Sequence, residues 1–224
     1  MTRCYVKGEM ENSGVRRRPV QQRSIERVER ILDACAELLD EVGFDALTTA
    51  EVARRAGVPP ATVYQFFDGR PGMMRALALR NLDLLLLQLR RRADDEPGLT
   101  WPRAVEIVIE ETVGMRRTVP GFTVVDFADT RVGGASFLPP GQIPEGGDIL
   151  AERLYDFATG QAGLPPLPDP YRVMRLAIET TGIALRLAFQ NSRDGDPAMI
   201  DQARTLLTAY FAQLTRHRPA APSR

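Results

Sequence analysis

Lysine is almost absent from this 224-residue chain: Lys7 is the only one, and arginine supplies every other base. Guanidinium groups pair bidentately with phosphates and carboxylates better than ammonium groups do. Arginine use therefore accords with nucleic-acid contact, although a genome-wide composition bias produces it as well. Neither sign of charge dominates, with 29 bases against 29 acids, so nothing pulls the whole chain toward nucleic acid or membrane. Histidine is scarce too; His217, in a polar terminus, stands alone. The two cysteines, Cys4 in a polar tail and Cys35 inside an apolar helical pattern, make neither a disulfide framework nor a ligand cluster. A reducing, cytoplasmic setting is expected. No apolar run exceeds four residues, as at Leu84 to Leu87, against the roughly 18 needed to span a bilayer. The first twenty residues lack the apolar run of a signal peptide, so neither secretion nor membrane insertion is expected. There is no glycine-rich phosphate loop and no metal-ligand spacing. The paired carboxylates Glu110 and Glu111 are adjacent and point to different helix faces. No enzyme activity, catalytic residue, cofactor or metal is expected.

What the chain does contain is helical periodicity. Its length suits a small domain followed by a larger one. Residues 1–20 read as a disordered tail ending in Arg16, Arg17 and Arg18. Ile25, Val28, Ile31, Leu32, Cys35, Leu38, Leu39 and Val42 then fall three and four apart on one helical face, which Gly43 stops. Thr48 opens a second helix, with Glu51 three positions on as a capping box. Val52 and Ala53 turn inward, and Gly57 ends that helix where a left-handed residue costs little. Pro60 suits the first turn of a third, with Val63 and Phe67 inward. Neither of these two helices is long enough to be stable alone, so the first must hold both. The third offers Pro60, Ala61, Thr62 and Gln65 at its leading end, the shape a major groove admits.

A long helix follows from Pro71 to about Arg92, apolar nearly all round at "LDLLLLQL" and so buried between partners. Arg90, Arg91 and Arg92 close it, where cations favour the negative helix end. After a "DDEPG" linker, helical patterns recur at about 101–117, 120–131, 146–160, 170–191 and 197–216, with no alternating strand pattern. The fold class is all-α.

The stretch "ILDACAELLDEVGFDALTTAEVARRAGVPPATVYQFFDGRPGMMRAL" resembles the amino-terminal domain of the TetR family of transcriptional regulators over about residues 24–80. The threonine-opened second helix, "AGV", "TVY" and a closing phenylalanine occur in order and at that family's spacing. The remaining two thirds matches only in length and helical character. The resemblance implies a helix-turn-helix DNA-binding domain over 21–70, a helical effector-binding and dimerisation domain over 71–218, and a disordered terminus over 219–224. It implies that Tyr64 contacts a phosphate, that Thr49 and the start of the fourth helix add backbone contacts, and that Thr62 and Gln65 read bases. Gln pairs with adenine and a Thr methyl meets thymine. Tyr64 as a packing residue with a wet hydroxyl, and Gln65 as a solvated side chain, are the plainer readings of the same residues.

Three positions depart from the family pattern. Pro59 stands where a serine is usual, which removes a side-chain N-cap worth roughly 0.5 to 2 kcal/mol. Phe66 replaces a frequent histidine or tyrosine and its polar phosphate contact. Arg70 stands in for a lysine and keeps the capacity to bind phosphate. Between 54 and 70, Arg54, Arg55 and Arg70 oppose Asp68 alone, a modest local positive field. The triplet Arg16 to Arg18 is open to two readings, a minor-groove arm or a solvated tail.

For the larger part, Val173, Leu176, Ala177, Thr180, Ala184, Leu187 and Ala188 form a stripe rich in small residues. Leu206, Leu207, Tyr210, Phe211 and Leu214 form a bulkier one. Two such helices from each of two subunits make a four-helix interface, and the resemblance implies the same homodimer. Trp101, Met115, Phe122, Phe127, Phe137, Tyr155, Phe157, Met174 and Ile178 are the candidates to line a ligand pocket among the middle helices, or else are ordinary core. Asp126, Asp129 and Glu179 either orient a polar or cationic ligand or lie at a helix edge. The expected function is a repressor that binds a palindromic operator on double-stranded DNA and is released by a small apolar or aromatic effector. The alternative is a helix-turn-helix regulator switched by a protein partner.

Overall fold

The structure, a computed structural model, describes residues 22–122 and 145–216, which form eight helices and no strand. They are α1 (Gln22–Ala46), α2 (Thr49–Ala56), α3 (Pro60–Phe66), α4 (Gly69–Asp95), α5 (Trp101–Thr118), α6 (Glu145–Gln161), α7 (Pro170–Phe189) and α8 (Pro197–Arg216). The all-α expectation holds. The tail of 1–20, the terminus of 219–224, His217, and Phe127, Phe137, Asp126 and Asp129 lie outside the described residues. So does most of the helix expected at 120–131. Its first residues make a turn instead, in which the Phe122 N–H donates to the Val119 carbonyl at 3.2 Å.

The chain divides into two compact units, Met1–Leu85 with Thr118–Gly147, and Leu86–Arg117 with Asp148–Arg224. Helix α4 runs through the division. In the first unit the apolar face of α1 is buried as its spacing requires, with Val28, Ile31, Leu32, Cys35, Leu38 and Leu39 against Val52, Ala53, Val63, Phe67, Met73 and Leu77. Ile25 is half-buried, and Val42, just before the break, is 48% exposed. Gly43, at φ 75 and ψ 177, interrupts α1, and one more helical turn runs to Ala46. Burial pushes the Cys35 thiol up to about 12, slightly opposed by the charge of Arg80, so this sulfur is a packing atom and not a nucleophile.

The turn after α5 also belongs to this unit. Phe122 is fully buried, and the Gly121 N–H donates to the Asp40 carboxylate on α1 at 2.9 Å. At φ 71 Gly121 occupies the left-handed region, and a Cβ there would meet the Ala36 backbone at 3.0 Å.

In the second unit arginines tie α5 to the end of α4. Arg92 donates to Glu110 and Glu111, both at 2.8 Å, and Arg103 donates to Glu96, Glu106 and Glu110. Helix α4 continues to Asp95, so the arginine triplet lies before its end. Arg92 therefore serves as a cross-link between helices as well as a charge at a helix end. Burial acts to raise the Glu110 carboxyl, but the hydrogen bonds from Arg103 and Arg92 outweigh it and hold it below the ordinary value. Helix α7 starts at Pro170 behind Asp169, whose side chain accepts from the Arg172 N–H at 3.2 Å.

Candidate nucleic-acid interface

The reading head is assembled from backbone chemistry visible in the sequence. The Thr48 side chain accepts from the Glu51 N–H at 3.1 Å, which caps α2. The return half of the expected capping box is displaced, because the Glu51 carboxylate engages Arg54. Gly57 closes α2 at φ 64 and ψ 38, and the Val58 N–H reaches back to the Ala53 carbonyl at 3.0 Å. This pairs carbonyls that would otherwise be orphaned. Pro60 takes the first position of α3, and Pro59 ahead of it offers no side-chain cap.

The seven candidate DNA-contacting residues fall in this one unit. Pro60, Ala61, Tyr64 and Gln65 are exposed along α3, while Thr62 and Thr49 are half-buried. Tyr64 is 52% exposed. Its hydroxyl lies 2.8 Å from the Thr49 hydroxyl, so the start of α2 and the second half of α3 present two linked donor-acceptor groups side by side. Phe66 is 3% exposed and belongs to the core with Val63 and Phe67. Its lost polar atom is therefore a feature of packing and does not bear on a surface contact.

Arg70 has other partners within the fold. Its Nη1 donates to the carbonyls of Phe44, Asp45 and Leu47 at 3.1, 3.4 and 3.4 Å, and its guanidinium carbon sits 4.5 Å from the centre of the Phe44 ring. It thus fastens the start of α4 to the end of α1. Replacement by alanine is expected to destabilise the protein by about 1.5 to 3 kcal/mol, the range for hydrogen bonds from a charged group, as read by chemical denaturation.

The other two arginines between 54 and 70 are also committed, which that window conceals. Arg55 donates to both oxygens of Glu41 at 2.8 and 2.7 Å and to Glu37 at 3.4 Å, tying α2 to α1. Arg54 pairs with Glu51 through both carboxylate oxygens. These hydrogen bonds hold the Glu51 and Glu41 carboxyls below their ordinary range. The partners of Arg55 sit 14 and 18 residues upstream, beyond any local signal. The Glu51 to Arg54 spacing of three was legible in the sequence.

The candidate pocket residues are only partly gathered. Trp101, Met115, Tyr155, Met174 and Ile178 lie in the second unit, where the Trp101 ring is 6.4 Å from that of Phe211. Met115, Met174 and Phe157 are buried, Glu179 is half-buried, and the Tyr155 hydroxyl accepts from the Leu167 N–H at 3.5 Å. Phe122 belongs to the first unit. The small-residue stripe of α7 divides as well. Val173, Ala177 and Ala188 are buried within the unit, Thr180 and Ala184 are half-buried, and Leu176 and Leu187 are exposed in line with Ile183.

No helix among the described residues is long and apolar enough to cross a membrane. Residues 31–77 match the family profile of bacterial regulatory proteins, tetR family, and residues 99–215 match that of the tetracyclin repressor-like C-terminal domain. A TetR-family transcriptional regulator from Streptomyces coelicolor, known from its crystal structure, is 40% identical. That match covers 84% of this chain and 99% of the other, with a TM-score of 0.71. An uncharacterised HTH-type transcriptional regulator of Mycobacterium tuberculosis is 31% identical over 46% of this chain and 53% of its own length. The class D tetracycline repressor protein of Escherichia coli is 37% identical over 24% of this chain and 25% of its own length. The chain thus spans between a quarter and about half of the length of these curated relatives. With profiles at both ends and a relative matched over almost its whole length, the chain belongs to the TetR family.

Proposed function

We propose that this protein is a DNA-binding transcriptional regulator, without enzymatic activity, that works in the cytoplasm as a repressor on a palindromic operator. The observation that carries the reading is the pair of hydroxyls on Thr49 and Tyr64 beside the exposed leading end of α3. Residues 21–70 are the DNA-binding domain and 71–218 the effector and dimerisation domain. Tyr64 and Thr49 hold a phosphate, Pro60 and Ala61 let α3 approach the groove floor, and Thr62 and Gln65 meet base edges. Arg70 positions the head from within. Two copies join through α7 and α8, since half-sites about 34 to 36 Å apart require a dimer of fixed geometry. A small apolar or aromatic effector entering among the middle helices beside Trp101, Met115, Met174 and Ile178 releases the DNA. Control by a protein partner is the second reading, and a thermal-shift screen in which no apolar or aromatic compound stabilises the chain would favour it.

The test is enrichment of duplexes from a randomised library by the full chain, and a palindrome is the expected product. On that sequence Tyr64→Phe is expected to cost about 0.5 to 1.5 kcal/mol, as for one hydrogen bond, and equally on all duplexes. Gln65→Ala should cost about 1 to 3 kcal/mol and relax preference at one base position. Uniform loss across duplexes for Gln65→Ala would remove it from the base readers. Failure of the wild-type chain to enrich any sequence would remove the function itself.

A further inference from the structure

Every arginine between Thr48 and Arg70 is engaged inside the protein: Arg70 by three carbonyls, Arg55 by Glu41 and Glu37, and Arg54 by Glu51. The three differ in how firmly they are held. Arg55 bridges two helices and has 28% of its side chain exposed, and Arg70 is stacked on Phe44 and half-buried. Arg54 is 69% exposed and is held by a single residue of its own helix. An exposed pair of this kind is weak enough for a phosphate to compete with it. The carboxylate does not leave when it loses its arginine. It stays on the first turn of α2 beside Arg54, and repels the same phosphate.

We propose that Glu51 is a selectivity-setting residue: by pairing with Arg54 it withholds from the DNA backbone the most accessible guanidinium between Thr48 and Arg70. The proposal rests on the reading that this head binds DNA. Contacts to phosphate are blind to sequence and supply nearly all non-specific affinity, whereas base contacts supply discrimination. With the three arginines of α2 and the start of α4 internally neutralised, this surface depends on Tyr64, Thr49, Thr62 and Gln65, and binds random DNA weakly. Binding then has a shallower salt dependence than three free arginines would give. Each phosphate newly neutralised adds about 0.9 to the slope of log affinity against log salt.

The experiment measures binding of the full chain to poly(dI-dC) between about 50 and 200 mM salt, a range over which such slopes are well resolved. Glu51→Gln is expected to raise affinity several-fold at the low-salt end and to steepen the slope by about 1. Its preference for the enriched palindrome over poly(dI-dC) falls accordingly. The double variant Glu51→Gln with Arg54→Ala is expected to return the slope to the wild-type value. A slope that stays steep in the double variant means that Glu51 acts by repulsion alone, and overturns the proposal. So does an unchanged slope in Glu51→Gln, provided thermal melting shows it folded as wild type does. Neither result touches DNA binding itself, which the enrichment by the wild-type chain decides separately.

Discussion

Replacing Gly121 by alanine will destabilise the protein by about 2 to 4 kcal/mol and lower its melting temperature by roughly 5 to 15 °C. Two independent costs add. A non-glycine residue held in the left-handed region costs on the order of 1 kcal/mol or more. The added methyl would also lie 3.0 Å from the Ala36 Cα and carbonyl oxygen, both backbone atoms of α1, so a side-chain rotation cannot relieve the contact. Overpacking of that kind costs typically 1 to 3 kcal/mol. For a protein of this size each kcal/mol shifts the midpoint by about 2 to 4 °C. The shift forced on residues 119–122 would strain the Gly121 hydrogen bond to Asp40 and the seating of Phe122, whose side chain is fully buried. Denaturation followed by far-ultraviolet circular dichroism reads the loss. An alanine variant as stable as wild type would show that the close approach of this turn to α1 is wrong. Asp40→Asn separates the terms, since it keeps an acceptor in place and leaves the steric contact untouched, and it should cost well under half as much.

Features of the head that depend on neighbours in sequence were legible, and those that depend on neighbours in space were not. Thr48 as a cap, Gly57 as a left-handed stop and Pro60 at a first turn each follow from the local chemistry of one or two residues, and each stands where expected. The inward face of α1 was equally plain, because a long run of apolar residues fixes its phase. Helix α3 is shorter, with seven residues, and its periodicity did not show that Phe66 joins Val63 and Phe67 inside. Arg55 gave no sign that Glu41 would neutralise it, because only the packing of α2 on α1 brings them together. No sequence pattern announces that Arg70 meets three carbonyls at the end of another helix. On α7 the alanines misled: Ala177 and Ala188 are small residues of the core, and the outward line passes through Ile183.

That outward line carries the last expectation. Tyr171, Leu176, Ile183 and Leu187 on α7 and Leu206 on α8 are five of the eight large apolar side chains exposed among the described residues. On α7, residues 176, 180, 183 and 187 recur at intervals of four, three and four, the spacing of one helical stripe. If two copies join through these helices, Leu187→Glu places a carboxylate where the partner must exclude water. Removing such a charge from water without a partner costs several kcal/mol. In the single chain Leu187 is 52% exposed, so the variant should fold with a melting temperature near that of the dissociated wild type. Light scattering is expected to report a monomer. Retention of the full palindrome is expected to fall by orders of magnitude, because each half-site then binds alone. Val42→Glu is the control for assembly, an exposed apolar residue on α1 outside the stripe, and should leave the light-scattering result unchanged. A Leu187→Glu chain that remains a dimer would place the interface on another surface, and the exposed line of α7 would then need a different partner.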